Sequence, residues 1–199
     1  MDIIYRNGEL GDCPKLAEFV DMASDGVVEF LFHDLIPNQT PVQIVAHNLS
    51  ADRDHHTFRD AIVAQSEQQV MGMSLSYPSH FHRIRSGMRE FFPPDRLKHV
   101  ENIFASGVEN SLYLDTLGVD QEFRGKGVGS QLISLTQDKA IEQGINALSL
   151  IVLADNTRAQ KLYHRHGFEI VHHIKMDSHE LIPHEGGAYL MNCDLGKMK

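Results

Sequence analysis

The feature that most limits what this 199-residue chain can fold into is a hexapeptide, Arg124-Gly125-Lys126-Gly127-Val128-Gly129, set between an apolar run and a helical repeat. Upstream, residues 111–119 (SLYLDTLGV) read as a strand. Downstream, residues 127–143 carry Val128, Leu132, Ile133, Leu135, Ala140 and Ile141 at helical spacing, and Gly144 stops the run. Glycines at such a junction let the backbone turn sharply and bring N–H groups close to a ligand with no Cβ in the way. The first N–H groups of the helix have no partner inside it, and the helix dipole adds partial positive charge there. Together they make an anion site worth about 0.3–2 kcal/mol per charge, and the expected anion is phosphate. Arg124 and Lys126 add mobile positive charge.

Two phosphate motifs fail on spacing. A Walker loop needs GxxxxGK followed by Ser or Thr, which this segment lacks. The dinucleotide fingerprint needs GxGxxG, but counted from Gly125 the last position falls on Ser130. It also needs an acidic residue about 20 positions on, and Asp155 lies about ten positions too far.

The spacing that matches is Arg124-x-x-Gly127-x-Gly129, preceded by Leu117-Gly118-Val119. A second block follows: Asn156-Thr157-Arg158-Ala159-Gln160-Lys161-Leu162-Tyr163, then Gly167-Phe168-Glu169. In order and spacing the two blocks resemble the acetyl-CoA motifs of the GCN5-related N-acetyltransferases, sharply over residues 112–168 and in element order over the whole chain. The resemblance implies one α/β domain over residues 1–199. Its mixed central sheet would have six to seven strands flanked by helices, with a splayed parallel pair holding acetyl-CoA. It implies direct transfer of acetyl from acetyl-CoA to a primary amine of a small molecule or peptide, without a covalent enzyme intermediate.

The same resemblance assigns roles. Backbone N–H groups of Arg124, Gly125, Lys126, Gly127, Val128, Gly129 and Ser130 would cradle the pyrophosphate. Main-chain groups of Leu117 and Val119, on either side of Gly118, would pair with the pantetheine arm, and a strand N–H such as that of Leu117 would meet the oxyanion. Asn156 either caps the helix that begins there or reaches the pantetheine arm. Tyr163, one turn beyond Ala159, would give a proton to the departing thiolate, the alternative being an aromatic core residue. Asp115 and Tyr113 fall on one side of their strand by alternation and are the candidates for the base that deprotonates the incoming ammonium. Many family members have no single essential base, and Asp115 also reads as an orienting or structural carboxylate.

Elsewhere, residues 1–6 read as a strand, and 12–23, 27–35 and 42–49 as helices. Residues 58–66 and 70–77 read as a hairpin around Glu67-Gln68-Gln69. Residues 79–110, interrupted by Pro93-Pro94, read as an irregular or partly helical excursion on the substrate side, or as a plain surface insertion. Residues 147–153 read as a buried strand, 156–166 as a helix, and 168–176 and 188–193 as closing strands. Strand–helix–strand order over 112–153 implies a parallel pair.

The net charge of -9 argues against a nucleic-acid binder, whose affinity rests on cationic contacts to phosphate. It fits a cationic acceptor only mildly. Cys13 and Cys193 lie far apart and read as small buried hydrophobes. Thirteen histidines include His55-His56, His80-x-His82, His164-x-His166 and His172-His173, none at the i, i+4 spacing of helical zinc ligands. They read as surface histidines, and no metal is expected. Residues 1–6 do not read as a leader, and no apolar run is long enough to span a bilayer, so the expectation is a cytoplasmic protein with no membrane partner. A homodimer is implied by family analogy alone. Two other readings stand beside the enzyme: an acyl-CoA sensor or regulatory module on the same fold, and a nucleotide-dependent transferase.

Overall fold

The computed structural model describes residues 2–51, 53, 55–67 and 69–197. The chain runs β1 (Ile4–Asn7), α1 (Cys13–Ser24), α2 (Val27–Phe32), α3 (Pro41–Ser50), β2 (Ala61–Ser66), β3 (Gln69–Pro78), α4 (Ser86–Phe91) and α5 (Pro94–Ala105). It continues through β4 (Leu112–Val119), α6 (Val128–Glu142), β5 (Ala147–Leu153), α7 (Thr157–Arg165), β6 (Phe168–Ile174) and β7 (Ala188–Asp194). The strands form one mixed seven-stranded sheet in the order β1-β2-β3-β4-β5-β7-β6. Two compact units can be distinguished, residues 1–77 with 114–139 and residues 78–113 with 140–199.

In the first unit, β1 pairs antiparallel with β2, and β2 with β3, with a register slip at Ala64/Gln65. Glu67 supplies the left-handed residue of the hairpin turn (φ 55°). α3 starts at Pro41 because Thr40 and Gln43 form a reciprocal capping box that satisfies two orphan helix donors. Val128 and Leu132 of α6 are buried with Ala64, and Ile62, Leu117 and Val119 pack on them. Farther along α6, Thr136 Oγ1 donates to Ser74 Oγ at 2.9 Å. Lys139 Nζ donates to the Asp60 and Ser76 carbonyls at 3.0 Å each and to Ser76 Oγ at 3.1 Å. Desolvation lowers the pKa of this amine, and the three acceptors compensate part of that cost.

In the second unit, β4 runs parallel to β5 at Leu112↔Leu148 and Tyr113↔Ser149, fulfilling the expectation of a parallel pair. Ser111 and Ser149 share a buried hydroxyl bond of 2.7 Å. β5 and β6 each pair antiparallel with β7. α6 ends at Gly144 (φ 72°), where the Gly144 and Ile145 N–H groups bond the Ile141 and Ala140 carbonyls, a Schellman stop.

One expectation changes. Residues 58–60 form a 3-10 turn rather than the start of β2, because Asp60 accepts from the Thr57 N–H at 2.9 Å while Thr57 accepts from Arg59. Local side-chain bonds of this kind compete with the strand ladder. Residues 79–110 take the partly helical form of the two readings, carrying α4 and α5: Pro93-Pro94 starts α5, with Pro94 in its first turn where no N–H is needed.

Candidate active site

In the first unit, the glycine turn has the geometry its sequence demands. Gly125 and Gly127 sit at φ +78° and +84°, in the region only glycine enters cheaply, and a Cβ at either would meet nothing within 4 Å. Arg124, Gly125, Lys126 and Gly127 are exposed, and the first bond of the 15-residue α6 runs from the Gln131 N–H to the Gly127 carbonyl at 3.0 Å. The N–H groups of Val128, Gly129 and Ser130 therefore precede the helical ladder, at the positive end of the helix. Open space beside Gly125 and Gly127, next to these helix-start amides, fits a pyrophosphate.

The cations beside the turn are less mobile than the sequence implies. Arg124 Nε donates to the Val119 carbonyl at 2.9 Å, and Lys126 Nζ lies 5.3 Å from the centre of the buried Phe123 ring. Gly118 has a packing reason: a Cβ there would come within 2.8 Å of Phe19 Cβ, so bare backbone is needed where α1 covers the strand. Leu117 and Val119 keep half-buried side chains on the α6-facing side of β4, which leaves their main chain as the part able to meet a ligand.

Asp115 lies on the same face of β4 as Leu117 and Val119, and it is not isolated. Tyr77 Oη donates to its Oδ1 at 2.7 Å, and Thr116 Oγ1 to its Oδ2 at 3.0 Å. His56 Nε2 stands 3.5 Å from the same Oδ2. The His56 and Tyr77 rings meet edge-on, 5.9 Å between centres. Neither Tyr77 nor His56 is flagged by the sequence motifs. His56 is one of a histidine pair read as surface, and the signal that could have marked it is a position before β2 whose fate depends on a tertiary contact.

In the second unit, Tyr113 is buried and stacks on His82, 4.0 Å between ring centres, while His82 Nε2 is 3.0 Å from the Ile103 carbonyl. That environment makes Tyr113 a packed core aromatic. Asn156 caps α7, its Oδ1 accepting from the Ala159 N–H at 3.1 Å. Gln160 Nε2 ties α7 to the end of β5 through the Leu153 and Ala154 carbonyls at 3.0 and 2.9 Å. Tyr163 is half-buried with its ring 5.7 Å from Phe168, and desolvation pushes its phenol up to about 12. Among the described residues, no group of three or more His, Cys, Asp or Glu side chains is placed to hold a metal ion, and no helix is long and apolar enough to cross a membrane.

The Acetyltransferase (GNAT) family profile matches residues 29–168, which includes both motif blocks. A mycothiol acetyltransferase of Jonesia denitrificans is 37% identical over 100 residues, covering 44% of this chain and 32% of that protein. A thialysine N-epsilon-acetyltransferase of Bos taurus is 40% identical over 53 residues, 27% of this chain and 31% of that protein. The chain thus spans about a third of the length of these curated relatives. An acetyltransferase structure from Salmonella typhimurium with its cofactor acetyl-CoA superposes with a TM-score of 0.60 at 17% identity, covering 98% of this chain and 95% of that one. At that identity the likeness shows the fold.

Proposed function

The chain belongs to the acetyltransferase (GNAT) family, and from that premise we propose that it moves an acetyl group from acetyl-CoA directly to a primary amine of a small molecule or peptide. The observation that carries this reading is the glycine turn: two exposed left-handed glycines in open space, at φ +78° and +84°, lead into the positive end of a 15-residue helix. Residues 124–130 hold the pyrophosphate. Leu117 and Val119 offer main-chain groups to the pantetheine arm, and Arg124 braces the turn against the end of β4.

In the reaction, the amine nitrogen attacks the acetyl carbonyl carbon, the new C–N bond forms, the C–S bond breaks with its electron pair leaving on sulfur, and the proton shed by the nitrogen ends on that sulfur as free thiol. Tyr163 acts on that sulfur. A phenol raised to about 12 keeps its proton throughout the neutral range. Full transfer to a thiolate, whose conjugate thiol loses its proton near ~8.5 in water, runs uphill. Tyr163 therefore donates a hydrogen bond to the developing sulfur charge, which stabilises the transition state without prior ionisation. The Leu117 N–H meets the oxyanion. Acceptors are small cationic amines or peptide amines, in keeping with a net charge of -9.

The test is acetyl-CoA with spermidine, kanamycin, thialysine and an alanyl peptide, each read as release of free thiol and as acetylated product by mass. Thiol release coupled to product with at least one amine supports the proposal. Tight acetyl-CoA binding with no turnover on any of them would favour a sensor instead.

A further inference from the structure

Resting on the acetyl-transfer reading, we propose that His56 is the base that takes the proton from the acceptor amine, and that Asp115 and Tyr77 position it. Asp115 is the obvious candidate for that task, yet each of its oxygens already accepts a side-chain hydroxyl, from Tyr77 at 2.7 Å and Thr116 at 3.0 Å. The imidazole of His56 stands at the outer side of this arrangement, its side chain 33% exposed against 20% for Asp115. Nε2 faces Asp115 Oδ2 at 3.5 Å, so Nδ1 is the nitrogen on the opposite side of the ring. The backbone of His56 is held at φ 63°, left-handed for a residue with a Cβ. Conformations of this kind persist where the surroundings over-determine them, as they do at functional sites.

Placement supports the role. Asp115 shares its face of β4 with Leu117, two residues on, which is about 7 Å along a strand. The His56 pair thus lies one residue pair upstream of the main chain assigned to the acyl donor. The chemistry also favours imidazole: its unperturbed pKa of ~6.5 is far better matched to an ammonium donor at neutral pH than a carboxylate near ~3.9. Among the described residues, Asp115 from β4 and Tyr77 from β3 are the ionisable groups that face it, while neighbouring His55 pairs with Asp60 at 3.4 Å and Lys139 of α6 reaches the Asp60 carbonyl.

The ammonium N–H bond breaks and the proton passes to His56, giving an imidazolium beside the Asp115 carboxylate. The freed nitrogen pair forms the C–N bond as the C–S pair leaves on sulfur, the second proton that the nitrogen then sheds ends on the thiolate to give the free thiol, and the imidazolium returns its proton to water.

The experiment records kcat/KM against pH for wild type, His56→Gln, Asp115→Asn and Tyr77→Phe, with acetyl-CoA and the four amines above pooled as acceptor. Acetyl-CoA Kd is measured on each variant by calorimetry. The expected result is a loss of about 10²–10³-fold in His56→Gln with disappearance of the histidine limb, and unchanged acetyl-CoA Kd. Asp115→Asn should move that limb to lower pH, since the imidazolium loses its counter-charge, and Tyr77→Phe should move it less. Wild-type turnover with an unaltered rate and limb in His56→Gln overturns the role of His56 while leaving acetyl transfer standing. No thiol release by the wild type overturns both. Should His56→Gln not fold, Asp115→Asn decides: a displaced limb supports the proposal and an unmoved one overturns it.

Discussion

Arg124 donates through Nε to the Val119 carbonyl at 2.9 Å, and its Nη2 lies 3.0 Å from the Met22 sulfur. Arg124, at the head of the glycine turn, is thus a brace between the end of β4 and the turn, not a loose charge waiting for phosphate. The brace needs the Nε–H donor in a fixed plane, which an ammonium does not reproduce. Arg124→Lys and Arg124→Ala should therefore weaken acetyl-CoA binding alike, by about tenfold (~1.4 kcal/mol). A titration in which Lys restores wild-type affinity would mean that charge alone matters.

Gly127 tests the backbone itself. Nothing lies within 4 Å of a Cβ there, so Gly127→Ala meets no clash and suffers only from φ +84°, at about 1–2 kcal/mol. The variant should fold, melt a few degrees lower, and lose at least tenfold in acetyl-CoA affinity as the amides turn away. Thermal melts with and without ligand check both.

Tyr163→Phe removes the hydroxyl and leaves the ring against Phe168. We expect kcat to fall by about 10²-fold, with acetyl-CoA Kd within twofold of wild type. Because burial pushes the phenol up to about 12, the wild-type rate should show no tyrosine limb at pH 10. Stopped kinetics from pH 6 to 10.5 would read this directly.

Asp12 anchors the first unit electrostatically. Arg6 grips it with two bonds, 2.7 and 2.9 Å, and the Glu9 N–H adds a third at 2.8 Å. These bonds hold the Asp12 carboxyl below its usual value, the Arg6 bond foremost. A carboxylate with a depressed native pKa stabilises above its unfolded pKa and loses that contribution as pH falls through the native one. Asp12→Asn should cost about 1.5–3 kcal/mol at pH 7, and the gap to wild type should close below about pH 4. Urea melts at pH 7, 4 and 2.5 would check it, and a gap constant with pH would contradict it.

Much of the fold was legible because its signals are local. The 147–153 strand, the α6 stop at Gly144 and the Asn156 cap each follow from residues within one turn of their effect. The glycine turn was legible for the same reason, since positive φ at Gly125 and Gly127 is a backbone demand written in residue type. The bounds of α5 were not legible because Pro93-Pro94 reads equally as a break or as a helix start, and only downstream packing of Leu97 and Val100 decides. His56 and Tyr77 were missed for a different reason. They meet Asp115 from sequence distances of 59 and 38 residues, and no spacing rule links the segment before β2, or the end of β3, to β4.

The central claim is that bare amides of the turn hold the acyl donor. Its most direct test is calorimetric titration of wild type and Gly127→Asp with acetyl-CoA, with folding verified by circular dichroism. The account predicts micromolar binding by the wild type and at least a hundredfold loss in a folded Gly127→Asp, where strain and a negative charge meet the pyrophosphate. Absence of wild-type binding, or equal binding by the folded variant, would contradict it.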